Sequence, residues 1–222
     1  MGHGAFGKKN QAARIGRLAL AALAAACWLA AGAVAQDVIS SRGSSVSETG
    51  LGNLIADAVR TSAGADAALV PASLLRDADV KVPEMNAARV SAAVVDPGQG
   101  IAVLSLTGVQ VREALERSIS MAPRQNQGFL QVSGINFRYD PAKPSGKRVG
   151  EIMLGRKEIA PGATVTVAMP RSLASGGLGY FRVWGKAPSQ DRGGTIAQAI
   201  EKLLSGRVDP SKYLPDGRIR RS

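Results

Sequence analysis

Leu51, Leu54, Ile55, Ala58 and Val59 recur three and four positions apart, and this spacing predicts a helix over 50–62. Ala67 to Val70 is a short apolar run closed by a proline, the pattern of a buried strand. Residues 88–95 read as a second helix that ends before Pro97, because the residue preceding a proline is pushed out of the helical region. Ile101 to Leu106 predicts a strand. Thr107 to Gln110 then form a capping box for a helix running to about Ser120, with Val111, Leu115 and Ile119 turned inward. Alternation of Ile135, Phe137 and Tyr139 predicts a strand over 129–139, a turn at Pro141 to Lys147, and a returning strand from Val149 to Leu154. A further strand is expected at 164–169, a glycine loop at 175–179, and a late helix carrying Ile196, Ala199, Ile200, Leu203 and Leu204. Short strands, a hairpin and separate helices indicate an α+β class with a mixed sheet and packed helices.

The first 35 residues break this pattern. Lys8, Lys9, Arg14 and Arg17 precede an almost unbroken Ala/Leu run from Leu18 that ends in Ala33-Val34-Ala35. A basic start, an apolar stretch and a small-x-small end describe a secretory signal peptide over 1–35. A retained anchor is one alternative, since the run is just long enough to span a bilayer. The other is a lipoprotein box ending at Cys27, although Ala24 stands where Leu or Val is usual. The Ser-rich stretch 36–47 is expected to be a flexible leader, and 48–222 one domain, exported to the periplasm or secreted.

Removing four basic residues and no acidic one from 28 and 17 leaves 24 and 17, a net charge of +7 for the mature chain. The only His (His3) and the only Cys (Cys27) leave with the signal. Disulfides, thiolate nucleophiles, His general bases and Cys/His zinc sites are thereby excluded from residues 36–222. Carboxylates are scattered, with Asp77 and Asp79 the only close pair, so no metal site and no cofactor is expected. Nucleic acid is not an expected partner: basic residues are spread along the chain, aromatics are few, and the one dense knot is Arg218, Arg220 and Arg221. No membrane association is expected once the signal is removed.

Three segments carry a specific likeness: Gly52-Asn53-Leu54-Ile55-Ala56-Asp57-Ala58, Phe129 through Asp140, and Leu173-Ala-Ser-Gly-Gly-Leu-Gly-Tyr180. Their order and spacing, with the Leu106 to Glu116 strand-then-helix segment between them, resemble the C-terminal domain of the 5'-nucleotidase family. The resemblance runs from about Ser45 to Arg220. It implies a domain that, in complete members, follows a metallophosphoesterase domain bearing two metals and supplies the substrate pocket, where two Phe rings clamp the base. It also implies that this chain stands alone, without the metal-bearing domain.

The family's pocket positions are largely replaced. Where the family has Asn-Gly-Gly-x-x-Arg, this chain reads Pro71 to Arg76 and keeps only the Arg. The first stacking ring falls at Val95-Asp96-Pro97 and the second at Arg171-Ser172-Leu173-Ala174, with no ring at either. The family's Gly-Gly-Asp-Gly has become Gly176-Gly177-Leu178-Gly179. Each lost stacking contact removes about 1–3 kcal/mol of base affinity. The candidate ligand-binding residues are therefore Arg76, Asp96, Arg171, Gly176, Gly177 and Gly179; the two arginines and Asp96 read either as a salt-bridge cluster filling an abandoned pocket or as a site where the arginines hold a small anion and Asp96 orients one guanidinium. The glycines equally suit positive φ or close packing. Asn53 and Asp57 read as caps or hydrogen-bond partners, Phe129 and Phe137 as core, and Tyr180, Phe181 and Trp184 as the wall behind the glycine loop.

Two function classes stay open. One is a ligand-binding or accessory module related to nucleotide catabolism, not catalytic alone, with a nucleotide, phosphorylated or small anionic ligand and a separate metallophosphoesterase chain as partner. The other is a hydrolase acting on nucleotides or other phosphorylated substrates, as the family implies. No residue of this chain is assigned a catalytic role.

Overall fold

The computed structural model describes Met1 and residues 38–222 apart from 186 and 207, so the expected signal peptide and Cys27 lie outside the described residues. From Val38 onward the stretch expected to be a flexible leader is built into the fold. Val38–Ser40 (β1) pairs antiparallel with Asp79–Lys81 (β3), and Ile39 is buried. Ser41 is buried and serves backbone groups: its Oγ donates to Arg76 O at 2.5 Å and accepts from Ala78 N at 3.0 Å. Gln131, fully buried, donates to the carbonyls of Ser44 and Ser47 at 2.9 and 2.8 Å. Ser-rich composition reads as loop, but here the hydroxyls and one buried amide supply the partners a buried loop requires.

Gly50–Ala63 (α1) follows, capped by Thr49, whose hydroxyl accepts from Gly52 N, and ended by Gly64 at φ 62°. Next come Ala67–Pro71 (β2), Ala87–Ala92 (α2), Gly100–Thr107 (β4) and Gly108–Ser118 (α3). The Thr107–Gln110 capping box is present in both directions. The second helix is shorter than expected, because Val94 leaves it to bridge Leu75. Leu130–Ser133 (β5), Ile135–Tyr139 (β6), Val149–Leu154 (β7), Lys157–Glu158 (β8) and Thr164–Pro170 (β9) lead into a short helical turn, Arg171–Ala174 (α4). After the glycine loop come Phe181–Trp184 (α5), Ser189–Thr195 (β10), Ile196–Leu204 (α6) and Ile219–Arg221 (β11).

The central sheet has the order β10-β4-β9-β2-β5, with β9 and β2 parallel and the other pairs antiparallel. Both of its faces are covered, which explains strands that are apolar at consecutive positions. Ile101 and Val103 of β4 join Leu54, Ile55, Val59 and Ile200 on one side. Ala102, Leu104 and Leu106 join Val111, Leu115 and Phe129 on the other. A second sheet, β11-β6-β7-β8, closes that other side. The single strand expected over 129–139 is in fact two strands in two sheets, separated by Gly134 at φ 77°.

The C-terminal segment is tied to α1 by its polar residues. Glu48 Oε1 accepts from Asn53 Nδ2 at 2.7 Å and from Asp216 N at 2.9 Å, and Oε2 accepts from Ile219 N at 3.1 Å. Burial pushes the Glu48 carboxyl up, but these donors outweigh it and hold the group below its ordinary value. Arg218 makes a fork to Asp57 at 2.7 and 3.1 Å and donates to Val132 O. Ser133 Oγ donates to the same carboxylate and accepts from Arg60. The basic knot at the end of the chain is thus partly committed inside the fold.

Candidate functional site

Four segments meet at one end of the central sheet: the turn after β2, the loop 93–99, the start of α4, and β10. The bridge between Leu75 and Val94 brings Arg76 beside Val95, and Arg76 Nη2 donates to Val95 O at 3.1 Å. Gln99 joins the next two segments. Its Nε2 reaches Asp96 Oδ2 at 3.4 Å, and its Oε1 accepts from Ser172 N and Oγ at 3.1 and 2.7 Å. Arg171 extends over Gly100, where a Cβ would stand 3.1 Å from Nη2, so the missing side chain at 100 makes its room.

Arg171 Nη2 pairs with Asp191 Oδ2 at 2.8 Å, with both side chains more than half exposed. The expectation that Asp96 orients a guanidinium is corrected here: Asp191 takes that role for Arg171, while Asp96 faces Gln99. Arg76 bonds a carbonyl instead of sharing the Arg171 cluster. Arg171 and Asp191 line a cavity of about 440 Å³ together with Arg192, Gly98, Gly100 and Thr195. Sequence reasoning does not reach Asp191, Arg192 or Gln99. The one local hint is the Asp191-Arg192-Gly193-Gly194 run ahead of a capping Thr, a charged pair next to two glycines.

The N-terminus of α6 borders this cavity but offers no free donors to an anion. Ile196 N and Ala197 N bond Gln99 O and Pro97 O at 3.0 and 2.7 Å, and Gln198 N bonds Thr195 Oγ1.

Gly176, Gly177 and Gly179 shape the neighbouring loop. Gly176 has φ 90°, and a Cβ there would lie 2.5 Å from Phe181 Cβ. A Cβ at Gly177 would meet Ser172 O at 2.7 Å, and one at Gly179 would meet Arg117 Nη2 at 2.1 Å. Behind the loop Tyr180 stacks on Trp184 with centroids 4.7 Å apart, Tyr180 OH donates to Gly128 O at 2.7 Å, and Trp184 Nε1 donates to Leu173 O at 3.1 Å. Burial pushes the Tyr180 hydroxyl up, so it stays a neutral donor. Phe129 and Phe137 are core, as expected. Phe181 is not: it is 56% exposed, with the Arg182 guanidinium 5.7 Å from its ring centroid.

Leu178 holds φ 58°, the one positive value outside glycine among the described residues. A leucine in this region carries about 1–2 kcal/mol of strain that Asn tolerates better. Leu178→Asn is therefore expected to raise stability by about 0.5 kcal/mol after loss of its partial packing, seen as a thermal midpoint roughly 1–2 °C higher. A lower midpoint would show that Leu178 packing outweighs the strain.

Comparison with known proteins places these features. The family model for 5'-nucleotidase, C-terminal domain, matches residues 30–184. The trifunctional nucleotide phosphoesterase protein YfkN of Bacillus subtilis is 29% identical over 185 residues, covering 78% of this chain and 12% of that protein. A 5'-nucleotidase of Vibrio parahaemolyticus is 25% identical over 175 residues, with 78% of this chain and 30% of that protein covered. The crystal structure of the 5'-nucleotidase precursor of Thermus thermophilus superposes with a TM-score of 0.72 at 24% identity, over 84% of this chain and 38% of the other. This chain thus spans about a third or less of the curated relatives it matches.

Proposed function

The chain belongs to the 5'-nucleotidase C-terminal domain family, and from that premise we propose that it acts as an exported binding and accessory module for a small phosphorylated or other anionic ligand. The observation that carries this reading is Arg171, held by Asp191 over Gly100 at a cavity that Arg192 also lines. A guanidinium presents donors in a rigid fork that fits a phosphate bidentately. Asp191 orients that fork before the ligand arrives, so less side-chain freedom is lost on binding. The two arginines outnumber the single carboxylate of the cavity lining, which leaves a net positive charge for the anion. Asp96 lies next to Gly98 of this lining, whereas Arg76 is turned to the Val95 carbonyl.

The partner in this reading is a separate metallophosphoesterase chain, to which the module presents its ligand. Export to the periplasm or beyond rests on the basic start, the apolar run and the Ala33-Val34-Ala35 end of the first 35 residues. Among the described residues no helix is long and apolar enough to cross a membrane.

Titration calorimetry of the mature protein with inorganic phosphate, ribose 5-phosphate and adenosine 5'-monophosphate tests the ligand site. At least one of the three is expected to bind, and replacing Arg171 and Arg192 together by Ala should weaken that binding at least tenfold. Unchanged affinity in the double variant would remove this cavity from consideration.

A further inference from the structure

The glycine loop ends in two exposed apolar side chains set over the packed Tyr180 and Trp184 rings. Leu178 is 40% exposed and Phe181 56%, and both belong to the loop that a strained backbone shapes. Leu178 O accepts from Arg117 Nε at 3.0 Å and also from Nη2, and the same guanidinium lies 5.3 Å from the Tyr180 ring centroid. Tyr180 and Trp184 fix the loop from below through their stack and their two hydrogen bonds. Gly176 lets Phe181 close against the backbone where any side chain would collide. An exposed leucine in a left-handed conformation works against both solvation and backbone preference, and strain of this kind persists where the surroundings hold it for a use.

We propose that Leu178 and Phe181 form a docking knob for a second protein, whose surface offers an apolar socket edged by carboxylates. The charge around the knob selects that chemistry. Arg117 and Arg182 are the charged side chains that the structure sets against these two residues, and the loop and helix that carry them, residues 172–185, contain no acidic residue. Arg182 covers one side of the Phe181 ring and Arg117 grips the Leu178 carbonyl, so each of the two apolar residues has a guanidinium beside it. Aromatic anchors beside arginine dominate protein interfaces because they bury large area at little entropic cost. Preorganisation strengthens this, since the loop backbone beneath the knob is already held by these contacts before docking. A lipid surface fits less well, because it favours a broad amphipathic face and gains nothing from a rigid two-residue tip.

This inference rests on the accessory reading and gives it a surface; its test is separable from the ligand titration. p-Benzoylphenylalanine is placed at position 181, and as a control at 157 on the hairpin, in cells that make the protein. After irradiation the protein linked at 181 is identified, purified and titrated with the wild-type chain, Phe181→Ala and Arg182→Glu, each checked for an unchanged thermal midpoint. The expected result is an adduct at 181 that is missing at 157. Affinity for the captured protein should fall at least tenfold in both variants, about 1.4 kcal/mol, and decline as salt rises. The proposal is overturned if no adduct is specific to 181, or if the captured protein binds the variants unchanged. It is equally overturned if the wild type, but not Phe181→Ala, binds phosphatidylglycerol vesicles while no protein is captured. Failure of the phosphate titration with success here leaves the knob standing without the cavity, and the opposite pair of results does the reverse.

Discussion

Gly134→Ala is expected to lower the stability of the protein by about 2–5 kcal/mol, the upper end of which would leave much of it unfolded at the low end of ordinary domain stabilities. Two costs add. At φ 77° a Cβ strains the backbone by about 1–2 kcal/mol. That Cβ would also stand 2.1 Å from Asp66 O, 2.9 Å from Arg60 Cδ and 3.1 Å from Ala67 Cα. A carbonyl and a Cα belong to backbone that is itself paired in the central sheet, so relief requires moving β2 or β5. Overpacking of this kind costs about 1–3 kcal/mol more. Gly155→Ala provides the comparison: Gly155 has φ 61°, but a Cβ added there would find nothing within 4 Å. Urea denaturation should show the loss at 155 confined to about 1–2 kcal/mol, the strain alone. Equal losses at 134 and 155 would mean that the contact with Asp66 relaxes freely.

The crossing at Gly134 also shows what a single chain reveals. Leu130 and Val132, the apolar residues of β5, stand at even positions, whereas Ile135, Phe137 and Tyr139 stand at odd ones, and all five enter the same core. That slip in phase marks the residue where one strand becomes two, because a shift of one position turns every side chain to the other face. Alternation within 135–139 is strong enough to hide it. Local chemistry elsewhere is legible: the Thr107 capping box and the apolar face of α1 need only residues three and four positions apart. The leader reads as loose chain because the Ser41 hydroxyl, Ile39 and the Ser44 carbonyl find their partners at Ala78, Val80 and Gln131, far along the sequence. The site divides in the same way. Arg171 is found through its position in a familiar pattern, but its carboxylate partner depends on the pairing that sets Asp191 opposite Ala102. No spacing rule reaches across that register.

Asp57→Ala and Arg218→Ala should each cost about 3 kcal/mol, and the double variant clearly less than the sum of the two. These side chains are only 21% and 14% exposed, so each single change strands a desolvated charge. Burial works against the Arg218 charge, yet Asp57, Asp216 and Glu48 outweigh it and hold the guanidinium above its ordinary value. Loss of Asp57 removes the strongest of these partners and leaves Asp216, which is half exposed, the weaker attraction of Glu48, and the Val132 carbonyl. The energetic penalty has a structural counterpart that a generic core defect would not produce. Arg218 stands just before β11, a strand of three residues paired on one side to β6, so the pair acts as the rivet of the chain end. Trypsin cuts after arginine, and Arg218, Arg220 and Arg221 all lie in this segment. Asp57→Asn, which keeps the size of the side chain, is therefore expected to accelerate removal of the last residues under native conditions while the rest of the chain stays resistant. Mass spectrometry of timed digests reads this directly. If Asp57→Asn and wild type lose the C-terminal residues at the same rate, the Glu48 contacts to Asp216 and Ile219 suffice to hold the strand. The Asp57–Arg218 pair would then serve α1 and β5 alone.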